Sequence, residues 1–96
     1  MYKLTNAAEK DIRNIFSNSL SAFGKKQTDK YFESLKKCLE LIGHNPDMGT
    51  NIDYIRKGYL KFPHESHVIF YKIESEYVLI IRILHKHMDV EKKIVD

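Results

Sequence analysis

The spacing of apolar and polar positions changes period twice along this chain. From Asn6 onward, Ala8, Ile12, Ile15, Phe16, Ser19 and Phe23 recur at steps of three and four, which is one face of an amphipathic helix. Asn6 stands ahead of that run as a candidate N-cap, with Glu9 three residues on as in a capping box. Gly24 can take the left-handed backbone that ends a helix. The pattern restarts near Lys25 or Lys26, where Thr28, Tyr31, Leu35, Cys38, Leu39 and Ile42 share a second face. Phe32 and Leu41 fall to either side of it, so the apolar arc is wide. Gly43 and then Asn45-Pro46 are expected to stop this helix. Two helices separated by one glycine-centred turn predict an antiparallel helical hairpin.

On both sides of the hairpin the period is two. Tyr2 to Thr5 reads as a short strand. Gly43 to Asp53 reads as loop, rich in turn formers. Then come Tyr59 to Phe62, closed by Pro63 and a turn at His64-Glu65-Ser66, and His67 to Ile73. Tyr77 to His85 follows after the tight connection Glu74-Ser75-Glu76. Such short connections make these strands antiparallel neighbours. The last strand is apolar on both parities, with Leu79, Ile81 and Ile83 on one and Val78, Ile80 and Leu84 on the other. That predicts a central strand, or one covered on both faces. Arg82 interrupts it, and an arginine in so apolar a run requires water or a carboxylate or carbonyl partner. The order β-α-α-β-β-β predicts an α+β fold, with the N-terminal helical hairpin on one face of a small antiparallel sheet. The first strand must find an edge of that sheet. The charged tail, Val90 to Asp96, is expected to be a short helix or frayed.

Composition changes this picture little. The chain has 96 residues, the size of one domain spanning 1–96. The longest apolar run, Tyr77 to Ile81, is strand-sized. The opening Met1-Tyr2-Lys3-Leu4 lacks a signal peptide's apolar segment, so a cytoplasmic protein without membrane contact is expected. The single Cys38 cannot form an internal disulfide and falls at a core position of the second helix. A formal charge of +3 permits an acidic or nucleic-acid partner without demanding one.

The blocks Asn45-Pro46-x-Met48-Gly49, Ile55-Arg56-x-Gly58-Tyr59, His67-Val68-Ile69-Phe70-Tyr71 and Ile81-Arg82-Ile83-Leu84-His85-x-x-Met88-Asp89, in this order, resemble the ParE toxins of type II toxin–antitoxin modules. The opening Tyr2-Lys3-Leu4-Thr5-x-Ala7-Ala8-x-x-Asp11-Ile12 adds to the likeness, which covers nearly the whole chain. The resemblance implies the RelE/ParE fold and a plasmid-stabilising toxin that inhibits DNA gyrase without being an enzyme. It implies neutralisation by a cognate antitoxin, contact with operator DNA only through that antitoxin, and no cofactor or metal.

The cationic strand end supplies the target-binding candidates: Arg56, Arg82, His85, Lys86 and His87. The rival within the superfamily is a RelE-type ribosome-dependent ribonuclease. Cleavage at a 2′-hydroxyl needs a base, an acid and cations for the developing charge. Arg56, Lys61 and Arg82 are the candidate cations and His85 the proton carrier. The tyrosine found late in many RelE nucleases is absent after Tyr77, and the Met88-Asp89 ending is the ParE-like form. His85 and His87 lie on one strand face, but a third metal ligand of convincing spacing is missing, Asp89 serving equally as a cap. Arg56-Lys57 ahead of Gly58 reads as a solvated turn or an anion contact. For the antitoxin, Leu20, Phe32 and Leu41 at the margins of the helix faces are the candidate contacts. A plain interaction module, toxic to nothing, is the third class.

Overall fold

Thr5 is the joint between the first strand and the first helix. Its backbone is extended (φ −70°, ψ 163°) and its hydroxyl accepts from the Ala8 amide, so the N-cap is Thr5 and not Asn6. The reason is tertiary: the same hydroxyl donates to the Ile81 carbonyl at 2.8 Å, which fixes Thr5 against the sheet. The computed structural model, which describes residues 1–88 and 93–94, orders its elements as β1 (Tyr2–Leu4), α1 (Asn6–Phe23), α2 (Lys25–His44), a 3₁₀ turn (Pro46–Met48), β2 (Thr50–Asn51), β3 (Tyr59–His64), β4 (His67–Ile73) and β5 (Val78–His85).

The helical hairpin turns at Gly24, whose φ of 85° lies in the left-handed region that only glycine enters without strain. Thr28 donates to the Gly24 carbonyl at 2.8 Å, and Ser19 meets Thr28 at 2.9 Å, so side chains from both helices lock the turn. Gly43 does not end α2; the helix runs on to His44 with Asn45 as its C-cap. A Cβ at Gly43 would stand 3.4 Å from the Met1 backbone, an ordinary contact, so this end of α2 packs beside the N-terminal strand.

The sheet runs β1-β5-β4-β3-β2. It is mixed rather than wholly antiparallel, because β1 lies parallel to β5 at one edge. The hairpin crossing between β1 and the rest carries the chain back to the same end, which parallel pairing requires. At the other edge, the expected loop contains the 3₁₀ turn and a two-residue strand pairing Thr50 with Lys61 and Asn51 with Leu60. Pro63 lies within β3 instead of closing it. Tyr59 accepts from Ile52 on the β2 side, so by alternation the position of Pro63 also faces that side, beyond the end of β2 where no partner needs an amide.

Two cores flank the sheet. On the helix side, Leu35, Leu39 and Ile42 pack with Ile69, Tyr71, Val78, Ile80 and Ile83. On the other side, Ile52, Phe70, Leu84 and Ile94 form a smaller cluster. β5 is thus central and covered on both faces, but not with the simple parity of the sequence. Phe70 pairs with Arg82 while Tyr71 pairs with Ile80, which leaves Ile81 as the extra residue of a bulge. Ile83 consequently joins Val78 and Ile80 on the helix side, and Leu84 points the other way. Cys38 is buried in the helix-side core, and burial pushes its thiol above the ordinary range. No helix among the described residues is long and apolar enough to cross a membrane.

Candidate functional site

β1 ends at Leu4, so the stretch of β5 beyond Ile80 has no strand beside it on that edge. α1 fills the gap with side chains. The Asp11 carboxylate accepts from the Ile83 amide at 3.0 Å and from Arg82 Nε and Nη2 at 2.8 Å each. It therefore satisfies a strand-edge amide and an arginine fork together, a pairing whose planar geometry favours arginine over lysine. The Arg82 Nη1 donates to the Lys93 carbonyl at 3.3 Å. The bonds to Asp11 raise the guanidinium above its ordinary range, against the opposing pull of burial.

Beyond this pair, α1 and β5 diverge. A cleft of about 820 Å³ opens between the C-terminal half of α1 and the ends of β4 and β5. Ile15, Ala22, Ile83 and Leu84 give it an apolar lining, and Asn14 and Asn18, one helical turn apart, give it amides. Phe23, 69% exposed, belongs to its wall and also to a strip with Phe16 and Leu20, which are 42% and 41% exposed. That strip follows i, i+4 and i+7, so a continuous apolar surface wraps the last turns of α1.

The rim of the cleft carries histidines. His64, His67 and His85 occupy three adjacent strands, with His64 opposite His67 and His67 opposite His85. The rings of His67 and His85 are 5.6 Å apart, and those of His85 and His87 are 5.1 Å apart. Tyr31 reaches down from α2 and bonds His67 Nδ1 at 2.6 Å, while Ser34 bonds His64 Nε2 at 2.8 Å. With the phenol donating, neutral His67 carries its proton on Nε2; the His87 amide donating to His85 Nδ1 at 3.2 Å sets the same tautomer there. Burial, then His85 and His64, push His67 below the ordinary histidine range, with Glu65 pulling the other way. Burial, with Glu65 and Cys38, pushes Tyr31 up to about 12, so the phenol keeps its proton.

The residues nominated for strand-end chemistry do not assemble. Arg82 and His85 both line the cleft. Lys61 stands opposite Phe70, on the sheet face turned away from the helices. Arg56 lies in the loop after β2, its guanidinium 5.6 Å from the Tyr59 ring centroid, at the far edge of the sheet from β5. Of the four residues the ribonuclease reading needs, Arg82 and His85 line the cleft and Arg56 and Lys61 do not, although Lys61 and Arg82 flank Phe70 in one row across the sheet. The Gly58 amide is taken by Asp53 at 2.7 Å, so the chain's own carboxylate fills the anion position of that turn. Lys86 and His87 are exposed at the end of β5. Asp89 and most of the tail lie outside the described residues, of which Lys93 and Ile94 are helical and Ile94 is buried. Among the described residues no group of three or more metal-binding side chains has a metal-holding arrangement.

Of the antitoxin candidates, Leu20 lies in the exposed α1 strip, and Phe32 is half-buried against Phe16 with ring centroids 5.5 Å apart. Leu41 is 50% exposed, but nine residues along α2 put it about half a turn round from Phe32. Sequence reasoning missed the cleft itself, with Asn14, Asn18 and Tyr31, and also missed His64 and His67. The histidines flanking a two-residue turn were visible, but their alignment with His85 depends on register.

Residues 2–90 match the family described as "ParE toxin of type II toxin-antitoxin system, parDE". The chain belongs to the ParE toxin family. Toxin ParE1 of Mycobacterium tuberculosis is 31% identical over 94 residues, covering 97% of this chain and 96% of the relative. Toxin ParE1 of Caulobacter vibrioides is 34% identical over 88 residues, covering 92% and 91%. Among solved structures, a chain of the chromosomal ParDE toxin–antitoxin system from P. aeruginosa matches the fold with a TM-score of 0.76 at 15% identity, over 88% of this chain and 92% of that one. This ParE-family chain is thus a type II toxin by descent, and its cleft and rim are features of a toxin surface.

Proposed function

We propose that this ParE-family toxin acts by gripping its target rather than by chemistry, that the target is DNA gyrase, and that a cognate antitoxin silences it by occupying the cleft between α1 and β5. Gyrase comes from the family resemblance. The observation that carries the non-enzymatic reading is that Arg56 and Lys61 stay out of the cleft that Arg82 and His85 line, with Arg82 already bonded to Asp11. A stabilised cleavage transition state needs its cations and proton donors within bonding reach of one phosphate. Lys86 and His87, exposed at the strand end, remain available to a large partner.

The cleft fits a protein segment. Past Ile83 the edge of β5 lacks a strand neighbour, and α1 presents amides opposite it and apolar side chains around it. An extended segment there adds to the sheet on one side and meets Asn14 and Asn18 on the other, with hydrophobic side chains covering Phe16, Leu20 and Phe23. The antitoxin then removes from water the apolar surface that the toxin cannot cover alone.

Purified toxin is expected to inhibit gyrase supercoiling and stabilise cleaved plasmid, with transcripts intact. Unaffected gyrase at large toxin excess overturns the target. The ribonuclease reading keeps one favourable observation, the adjacency of Arg82, His67 and His85 along the cleft. Transcripts cut on expression, and spared in His85→Ala and Arg82→Ala, decide for it. Phe23→Lys tests the antitoxin surface: toxicity persists and neutralisation weakens by roughly tenfold or more, the loss expected for a core interface aromatic.

A further inference from the structure

The histidine row is not absorbed by gripping gyrase or by apolar docking. Two imidazoles on adjacent strands, His67 and His85, line the cleft with rings 5.6 Å apart, and His64 and His87 stand at either end of the pair, so several groups of histidine chemistry meet at one place. We propose that this row receives an acidic segment of the antitoxin, and that seating its carboxylates draws protons onto His67 and His85, so that neutralisation of the toxin is coupled to pH. The proposal rests on the antitoxin reading above.

The charge inventory points to a carboxylate-bearing occupant. Among the described residues the cleft is lined by two carboxylates, Asp11 and Glu65. Asp11 is spent on Arg82 and the Ile83 amide. Glu65 lies 3.5 Å from His64 Nε2 with its side chain 60% exposed, and its charge is felt at His67 without outweighing burial. The other ionisable groups around the row are the Tyr31 phenol from α2, Arg82 and His85 of β5, and Lys86, His87 and Lys93 beyond it. None of these can supply a second negative charge at neutral pH, since the phenol is held protonated. With the histidines neutral, Arg82, Lys86 and Lys93 outnumber Asp11 and Glu65 around the row by one charge, so a Glu- or Asp-containing segment finds complementary charge there.

In the free toxin His67 is held toward its neutral form. Burial disfavours the imidazolium at His67, and the rings on each side penalise a second and third proton. An arriving carboxylate offsets both effects by supplying a counter-charge in a partly desolvated place. The tautomers assist, because Nδ1 of both His67 and His85 is already occupied; His85 Nε2 carries the proton as a donor, and with the Tyr31 phenol donating so does His67 Nε2. Protonation of His67 does not sever its anchor, since the Tyr31 hydroxyl can turn from donor to acceptor. Glu65, at the turn joining these strands, adopts a φ of 53°, a conformation uncommon for a residue with a side chain. Its carboxylate lies beside His64.

The test uses the intact toxin and the intact protein encoded by the reading frame beside its gene, titrated calorimetrically at several pH values in phosphate and in Tris. Uptake of about one proton tightens binding up to tenfold per pH unit, so the complex is expected to be roughly tenfold tighter at about pH 6 than at about pH 8. The heat should differ between the two buffers by their ionisation enthalpies. The double variant His67→Gln/His85→Gln should bind at the higher pH and lose most of the pH dependence. Tight binding with no proton uptake and equal affinity at both pH values overturns the proposal and leaves the antitoxin reading intact. No binding at any pH overturns the antitoxin reading itself. Acid-enhanced binding of duplex DNA with none of the neighbouring protein replaces the acidic segment by nucleic acid and also overturns it. Should the double variant misfold, NMR titration of the histidine Cε1 protons in wild-type toxin decides. The midpoints of His67 and His85 must rise in the complex, and unchanged midpoints refute the coupling.

Discussion

Replacing Asp11 by Asn probes the contact that holds α1 to β5 at the base of the cleft. Asp11 is 9% exposed and accepts three hydrogen bonds, two from the Arg82 fork and one from the Ile83 amide. Asparagine keeps the shape but loses the charge, and turns an amide donor toward one of those donors. A fully buried pair broken on one side costs about 3–5 kcal/mol, whereas an exposed pair is worth about 0–1 kcal/mol. Here the carboxylate is near the buried limit, and the arginine side chain keeps 21% of its exposure to water. The cost is therefore about 2–3 kcal/mol, between the two limits. For a domain this small that corresponds to a fall in Tm of about 10–20 °C. Thermal and urea unfolding followed by circular dichroism measure it, with Arg82→Gln and the double variant completing a cycle. The double variant should cost at least about 1 kcal/mol less than the sum of the singles. Because the pair is largely desolvated, the loss should persist in about 1 M salt. Singles within about 0.5 kcal/mol of wild type, or strict additivity, would show that the pair is a solvated surface contact and refute the reasoning.

Three further outcomes follow from other joints. The buried Tyr71 hydroxyl donates to the Pro46 carbonyl at 2.7 Å and accepts from the Gly49 amide at 2.9 Å, so Tyr71→Phe should cost about 1–3 kcal/mol and speed hydrogen exchange at Gly49. Gly49→Ala should cost more, about 2 kcal/mol or above in urea melts, because the new methyl would overlap the Tyr71 hydroxyl. Thr5→Ala removes both the α1 cap and the bond to Ile81 and should lower stability by about 1–2 kcal/mol, with Thr5→Ser retaining most of it. His67 sets a pH dependence of the free toxin. Its folded pKa lies below the unfolded value, so the unfolded chain binds the proton more readily. The corresponding stability is complete above about pH 6.5 and is lost as pH falls through the folded pKa. His67→Gln should flatten that acid limb in melts run across the range, and an unchanged limb would assign it to other groups.

Element identity was legible because each element shows a strong period. The helical faces through Ala8 and Ile15 and through Leu35 and Ile42 were readable in the chain, as were the strands ending at Ile73 and His85. A β5 apolar on both parities but for Arg82 had to be central or covered on both faces, and it is covered on both. The order of blocks around Met48-Gly49, Arg56-x-Gly58-Tyr59 and the β5 end carried the family. Element ends were less legible because local signals compete with tertiary ones. Asn6 is a good cap, yet Thr5 wins since its hydroxyl also reaches Ile81. Gly43 can stop a helix, yet α2 continues through it to His44.

Local sequence specifies what each segment becomes, since periodicity and turn chemistry act over a few residues. It does not specify which distant groups meet. Asp11 and Arg82 are 71 residues apart, and only the termination of β1 at Leu4 exposes the β5 edge that brings them together. The bulge at Ile81 reverses the parity of β5, moving Ile83 to the helices and letting His85 stand across from His67. The histidine row and the cleft exist only through that register. Hydrogen-bond pairing between strands is set by the packing of both cores at once, and no window of the chain contains both.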